Sequence, residues 1–311
     1  MKKVAVLLVL FNSEKYLPRL LSSIQKQTYE QLEIYILDNN SVDNSVSLCN
    51  TYYSSAKITV MQENTGYAKG NNILAAQAVS DDMDYLFILN ADLELDEHCV
   101  EKLVDVYSEY DNVGVVSPII FYSNKGKKTT KIQHFDHMAD YKKRRMNSIY
   151  NNQIFGETLP DTMKVNYVNG NAFMLSNKLY QKVGLFDESY FMYGEEYDFG
   201  LRVNNTKYSM YSASNAKIWN FHDFNNESNE RKSFKYYYIK RNKYLYFRKH
   251  RFYYNMFVNL LKELFYLPYK CYWLIKTGGT ITLRYYYLGV YDGLLGKKGK
   301  VNYPFFKGSS I

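Results

Sequence analysis

The stretch Tyr85-Leu86-Phe87-Ile88-Leu89-Asn90-Ala91-Asp92-Leu93-Glu94 reads as a short, continuously apolar strand that stops abruptly in a polar, acidic turn. An apolar run without polar alternation suits a strand buried on both faces, as in parallel sheets covered by helices. Upstream, Val4–Leu10, a helix around Leu17–Gln27, Leu32–Leu37, a helix after Asp43, Ile58–Met61 and a helix over Ala68–Val79 alternate β with α. That alternation is the signature of βαβ units. In such sheets ligands bind beyond the carboxyl ends of the strands, where Asn90-Ala91-Asp92 falls.

Downstream, the polar and basic stretch Ser123–Asp161 lacks a clear period and is expected to form a loop or lid. Regular structure resumes over Val165–Leu175. Past about Asn226 the texture turns aromatic, basic and helical, which predicts an α/β domain over residues 1–226 and a helical appendage over 227–311. Between Tyr253 and Ile275 apolar residues are broken by Lys262, Glu263 and Lys270, a pattern suited equally to helices lying on a membrane and to helices packed on the first domain. No apolar run approaches the roughly 20 residues that span a bilayer.

At 311 residues and 46% hydrophobic content the chain can bury a full α/β core and still carry a second, smaller domain. Cys49, Cys99 and Cys271 are far apart and odd in number, which argues against a disulfide framework or a zinc cluster and suits a reducing compartment. Lys2, Lys3 and the apolar run after them lack a cleavage site and are interrupted by Glu14 and Lys15, so they read as a first strand rather than a signal peptide. The net charge of +8 points to phosphates, nucleic acid or anionic lipid as partners, and nine of the cations, Arg231 to Arg251, fall in one stretch without an acid. No nucleic-acid module accompanies them, so no nucleic-acid partner is expected.

A Gly-x-Gly-x-x-Gly turn after a strand is absent, and Gly293–Lys300 lacks Walker spacing, so phosphate chemistry must lie elsewhere. Asp92 can bridge a hard divalent cation to phosphate oxygens, although a lone Asp after a strand is usually a helix cap or turn residue. Several segments decide between these by their order. They are Leu10-Phe11-Asn12, Asp38-Asn39-Asn40-Ser41-Val42-Asp43, Asn64-Thr65-Gly66-Tyr67-Ala68-Lys69-Gly70-Asn71-Asn72 and Asn90-Ala91-Asp92. Val183-Gly184-Leu185-Phe186-Asp187-Glu188, Phe191-Met192-Tyr193-Gly194-Glu195-Glu196-Tyr197-Asp198, His222, Arg241-Asn242 and the glycine-rich Gly289–Lys300 follow. Co-linear over most of the chain, this series resembles the glycosyltransferases of family 2 with a GT-A fold, particularly the rhamnosyltransferase-like branch that builds O-antigens, capsules and related polymers.

The resemblance implies a GT-A, Rossmann-like nucleotide-sugar domain with a mainly parallel sheet. It implies inverting transfer from a UDP- or dTDP-sugar to a lipid-linked glycan on the cytosolic, peripheral face of an anionic bacterial membrane, with homo-oligomerisation left open. Asp38 would accept the N3 proton of uracil or thymine, or else cap its turn. Asn12, Asn64, Gly66, Lys69 and Asn72 would surround the nucleotide and diphosphate. Asp92, aided by Asn90, and His222 would hold Mn²⁺ or Mg²⁺; Arg241 would reach the same phosphates or belong to a basic helical face. Glu196 stands where the family motif has Asp and would be the catalytic base, with Glu195 and Asp198 as alternatives. A sugar nucleotidyltransferase and a non-catalytic glycan-assembly subunit are the rival readings.

Overall fold

The computed structural model describes residues 1–156, 159–222 and 228–303. Strands β1 (Val4–Leu10), β2 (Leu32–Asp38), β3 (Lys57–Val60), β4 (Tyr85–Leu89) and β5 (Leu93–Leu95) alternate with helices α1 (Leu17–Gln25), α2 (Ser45–Tyr52), α3 (Gly66–Ser80) and α4 (Cys99–Glu109). There follow β6 (Val113–Asn124), β7 (Lys127–His134), β8 (Met138–Asp140), β9 (Arg145–Asn147), β10 (Thr162–Val165) and β11 (Ala172–Ser176). The chain continues through α5 (Asn177–Val183), α6 (Glu195–Asn204), β12 (Ser209–Asn220), α7 (Asn229–Lys249), α8 (Tyr253–Phe265) and α9 (Leu267–Leu295).

The main sheet runs β10-β12-β6-β11-β4-β1-β2-β3, with β5 added to β12 and β7 to β6. Strand β1 lies parallel to β2 on one side and to β4 on the other, and β2 lies parallel to β3. Because side chains alternate along a strand, β1 serves two cores. Val4, Val6 and Leu8 pack with Leu17, Leu20 and Ile24 of α1, while Ala5 and Leu7 pack with Ala68, Leu74 and Ala75 of α3. In β2 every residue from Ile34 onward is buried and Asp38 closes the strand, while β4 is apolar throughout and is followed by Asn90 and Asp92.

Ser123–Asp161 departs from the expected loop. β6 runs on to Asn124 and forms a hairpin with β7, and β8 pairs with β9. The strand was hidden because the first five residues of β7, Lys-Lys-Thr-Thr-Lys, are polar on both faces, and burial begins only at Ile132. No hydrophobic alternation exists there to be seen.

The contacts divide the chain into two compact units. One comprises Met1–Ala139, Met146–Phe186 and Phe199–His222; the other comprises Asp140–Arg145, Asp187–Asp198 and the chain from Asp223 onward. The boundary expected near Asn226 falls outside the described residues. In the second unit α7 and α9 pack with glycines at the contact: a Cβ on Gly289 would strike the Tyr237 carbonyl, and one on Gly293 the Arg241 carbonyl. The glycine-rich segment therefore works here as a close helix crossing. Around it the core is aromatic, with Tyr237, Tyr238, Tyr244, Tyr246 and Phe247 all fully buried.

Replacing Gly289 by valine should destabilise the second unit by about 1–3 kcal/mol, the usual cost of overpacking. Hydrogen exchange of the α7 and α9 amides would register this as lost protection; unchanged protection would mean that the helices separate at no cost.

Candidate active site

At the carboxyl ends of β1 and β2 the first unit builds a polar cradle. Asn12, with a left-handed φ of 49°, accepts from the Val42 N–H through Oδ1 (2.9 Å), and its own N–H donates to Ser41 Oγ (2.9 Å). Asp38 is 1% exposed; its Oδ2 accepts from the Ser41 N–H (2.9 Å), and its Oδ1 is buried without any hydrogen-bond partner. Asn39 ties this loop to the next, its Oδ1 accepting from the N–H (3.0 Å) and hydroxyl (2.8 Å) of Thr65. Asn64 Oδ1 in turn accepts from the Gly66 N–H (2.9 Å), a turn that a φ of 85° reserves for glycine. Lys69 is exposed in the first turns of α3. Asn72 is placed differently from expectation: its amide pairs with both the N–H (3.0 Å) and the carbonyl (2.9 Å) of Phe186, which fixes α3 to the segment after α5.

Past β4, Asn90 is clamped to Asn171, backbone to backbone at 2.9 Å and amide to amide at 3.1 Å. The antiparallel pairing of β5 with β12 then brings Asp92 to His222, with Oδ2 3.0 Å from Nδ1, while the Phe221 N–H donates to the Asp92 carbonyl (2.7 Å). The second oxygen, Asp92 Oδ1, is buried and has no hydrogen-bond partner. One carboxylate with an unmatched oxygen and one imidazole form a donor set that suits Mn²⁺ or Mg²⁺. Among the described residues no three or more His, Cys, Asp or Glu side chains are grouped so as to hold a metal ion, so a cation here would draw its remaining ligands from phosphate and water. A cleft of about 850 Å³ lined by Asp84, Tyr85, Asn177 and Tyr208 contains none of the site residues expected from sequence.

The acidic cluster lies in the second unit, after a backbone that only buried hydrogen bonds can hold. Phe191, Tyr193 and Gly194 all have positive φ (64°, 66° and 97°), unfavourable for the two aromatic residues. Asn242, fully buried, donates to the carbonyls of Tyr190 (3.0 Å), Met192 (2.7 Å) and Tyr193 (2.7 Å). Arg241, also fully buried, donates to the carbonyls of Tyr190 (2.8 Å) and Gly299 and to Asn242 Oδ1 (2.9 Å). Arg241 is thus committed to backbone rather than presented to a diphosphate, a correction to the phosphate-binding expectation. Its sequence signal, a cation in a basic helix, does not reveal which carbonyls surround it.

The three carboxylates of the cluster are in different situations. Asp198 is fully buried and paired with Lys249 (2.5 Å) and His250 Nε2 (2.9 Å). Glu195 is 2% exposed with Oε2 unpartnered; burial, then the neighbouring Glu196, pushes its carboxyl well above the ordinary range. Glu196 is half-buried, accepts from the Gly194 N–H (3.1 Å), and is raised by burial although the Arg144 charge opposes the shift. Asp198→Asn should therefore act on stability: breaking a buried pair costs about 3–5 kcal/mol, and the lower end applies because Lys249 is partly exposed and keeps Asp187 at 2.6 Å. A thermal melt reads the loss; an unshifted melting temperature with abolished turnover would return Asp198 to the chemistry.

Comparison with known proteins agrees with this architecture. The chain is 21% identical over 230 residues to the N-acetylglucosaminyl-diphospho-decaprenol L-rhamnosyltransferase of Mycobacterium tuberculosis, covering 68% of this chain and 74% of that protein. Its fold is similar to that of GalNAc-T7 crystallised with UDP, GalNAc and Mn²⁺ (TM-score 0.61, 15% identity, 78% of this chain and 51% of that one). It is also similar to residues 1–349 of S. aureus TarS in complex with UDP-GlcNAc (TM-score 0.55, 16% identity, 78% of this chain and 66% of that one). The chain thus spans about half of the first structure and just under two thirds of the second. The pattern of glycosyl transferase family 2 matches residues 5–168, just over half of the chain, and with the parallel sheet and the strand-end carboxylates this establishes that the protein belongs to that family.

Proposed function

We propose that this glycosyltransferase moves one sugar from a UDP- or dTDP-sugar to a lipid-linked glycan in the synthesis of a bacterial cell-surface polysaccharide, by an inverting displacement. The observation that carries the reading is the pair of buried carboxylate oxygens, Asp38 Oδ1 and Asp92 Oδ1, left without partners beyond β2 and β4, the two strands that flank β1. An unmatched buried acceptor costs about 1–3 kcal/mol, a cost relieved when a ligand supplies the missing donor or charge. Support for the acceptor and donor classes comes from the mycobacterial relative, whose name specifies a diphospho-decaprenol substrate, and from the UDP-GlcNAc complex of TarS.

Asp38 Oδ1 accepts the N3–H of the base, which selects uracil or thymine because a carboxylate offers no donor. Asn12 and the Asn64–Gly66 turn hold the loops around the nucleotide, and exposed Lys69 meets phosphate charge. Asp92 and His222, with Asn90 close to Asp92 in the sequence, would hold the divalent cation, which would supply charge neutralisation to a diphosphate. Glu196 takes the proton from the acceptor hydroxyl as its oxygen bonds to the anomeric carbon. The bond from that carbon to the diphosphate breaks in the same step, releasing nucleoside diphosphate.

The helices α8 and α9 favour attachment to an anionic membrane surface. Both acids between residues 253 and 303, Glu263 and Asp292, are buried, while Phe257, Leu264, Phe265 and Tyr269 are exposed beside the exposed Lys262 and Lys276. No helix of the described residues is long and apolar enough to cross a membrane. Each cation near such a surface contributes about 1 kcal/mol. Sedimentation with phosphatidylglycerol vesicles should be strong at low salt and weak at high salt; equal binding to neutral vesicles would count against the electrostatic part.

Turnover with a nucleotide sugar tests the reaction itself: released nucleoside diphosphate supports transfer, and released pyrophosphate would support donor synthesis instead. Glu196→Gln should lower kcat by about 10² to 10⁴ with donor affinity nearly intact. Because burial raises the Glu196 carboxyl, activity should be lost as pH falls through a value above the ~4.3 of an ordinary glutamate. Glu196→Asp should keep part of the activity. Near-normal kcat for Glu196→Gln would transfer the base role to Glu195.

A further inference from the structure

Beside the acidic cluster, the second unit concentrates cations that its own acids do not balance. Lys240 and Lys243 are one turn apart on α7, and Lys270 enters from α9. Lys240 (2.9 Å) and Lys270 both bind Glu263, whose remaining capacity goes to the Tyr286 hydroxyl (2.8 Å). Lys243, half-buried among them, has no hydrogen-bond or ion-pair partner among the described residues. Burial, then the charges of Lys240 and Arg144, push its ammonium down to about 7, a strain that an incoming anion reverses.

Arg144 continues this cationic line toward the base. The Tyr246 hydroxyl, one turn after Lys243, donates to the Tyr141 carbonyl (3.0 Å) and pins the Asp140–Arg145 segment to α7. The Arg144 guanidinium then lies 5.7 Å from the Tyr246 ring and 5.0 Å from the ring of Tyr197, the residue after Glu196. It also crowds Gly194, where a Cβ would run into it. Arg144 has no hydrogen-bond or ion-pair partner among the described residues and is held in a left-handed conformation (φ 50°). Arg144, in its left-handed turn, thus lies within electrostatic reach of Glu195 and Glu196 on one side and of Lys243 on the other.

We infer that Arg144 and Lys243, backed by Lys240 and Lys270, form a binding site for the phosphate or diphosphate of the acceptor, so that the hydroxyl offered to Glu196 belongs to a sugar carried directly on a diphosphate. This rests on the reading of Glu196 as base, and it narrows the acceptor class from any lipid-linked glycan to a glycosyl diphosphate. A planar guanidinium and a flexible ammonium together suit a doubly charged oxyanion better than a single carboxylate. An acceptor whose diphosphate lay many sugars away would leave these charges unanswered.

The direct probe is inorganic pyrophosphate, titrated calorimetrically into the full chain without divalent metal and with saturating UDP. Lys243→Met should weaken it about tenfold or more, as loss of a charge-assisted contact does, while Lys243→Arg stays within about threefold of the parent. Unchanged affinity in Lys243→Met, or an equal loss in Asp92→Asn, would overturn the site. A second arm compares N-acetylglucosamine joined through diphosphate to an undecyl chain with undecyl N-acetylglucosaminide as acceptors. The KM advantage of the diphosphate acceptor should collapse in Lys243→Met and return in Lys243→Arg. A third arm uses phosphatidylglycerol vesicles: if Lys243→Met loses vesicle binding as steeply as pyrophosphate, the anion is a headgroup and the acceptor assignment is wrong. Pyrophosphate binding that needs Lys243, in a protein that transfers no sugar to either acceptor, would uphold the anion site and refute the transferase reading instead.

Discussion

The arrangement of the first unit depends on one constraint: β1 must be apolar on both faces because it has a parallel neighbour on each side and a helix layer above and below. Val4 to Leu8 satisfy this, and the cost of burying a polar side chain there keeps chemistry out of the strand bodies. Polar residues are admitted only where the strands end. Asp38 ends β2 and Asp92 follows β4, so the two carboxylates with unmatched oxygens arise on either side of one central strand. The close approach of α3 to this strand depends on Gly70, where a Cβ would come within 2.9 Å of Val9.

The second unit meets a different demand, which is to hold a backbone that its sequence disfavours. Positive φ at Phe191 and Tyr193 costs on the order of 1–3 kcal/mol each. Asn242 and Arg241 offset this with hydrogen bonds to the carbonyls of Tyr190, Met192 and Tyr193, made inside the aromatic core where a lost bond is expensive. An arginine buried in this way resembles a structural strut more than a ligand contact. The glycines of α9 belong to the same construction, since they let α9 approach α7 at the turn that carries Arg241.

Much of this was legible in the sequence where a single physical requirement governs a segment. Apolar runs identified β1, β2 and β4, the abrupt polar ending of β4 drew attention to Asp92, and Asp38 was singled out by the family resemblance. What stayed hidden depends on partners distant in the chain. The β7 strand carries no hydrophobic alternation because little of it is buried, and the roles of Asn39 and Asn171 emerge only from the loops they join. The roles expected of Arg241 and Asn72 came from the family resemblance, whereas their neighbours show both bound to backbone. Arg144 was lost in the run Lys142-Lys143-Arg144-Arg145, which looks like an ordinary solvated charge cluster.

The carboxylates of the acidic turn are set apart by environment rather than by residue type. Asp198 is fixed by Lys249 and His250 and can neither reach nor accept a further proton without breaking that pair. Glu195 and Glu196 are adjacent and both buried enough to resist ionisation, and each would oppose the other's charge. The resistance is unequal. Glu195 bears both the burial and the Glu196 charge, while Glu196 is favoured by the Gly194 N–H and by Arg144. A carboxylate whose affinity for the proton is raised by burial is a stronger base than an exposed one. Glu196 uses one carboxylate oxygen, Oε2, to accept from the Gly194 N–H.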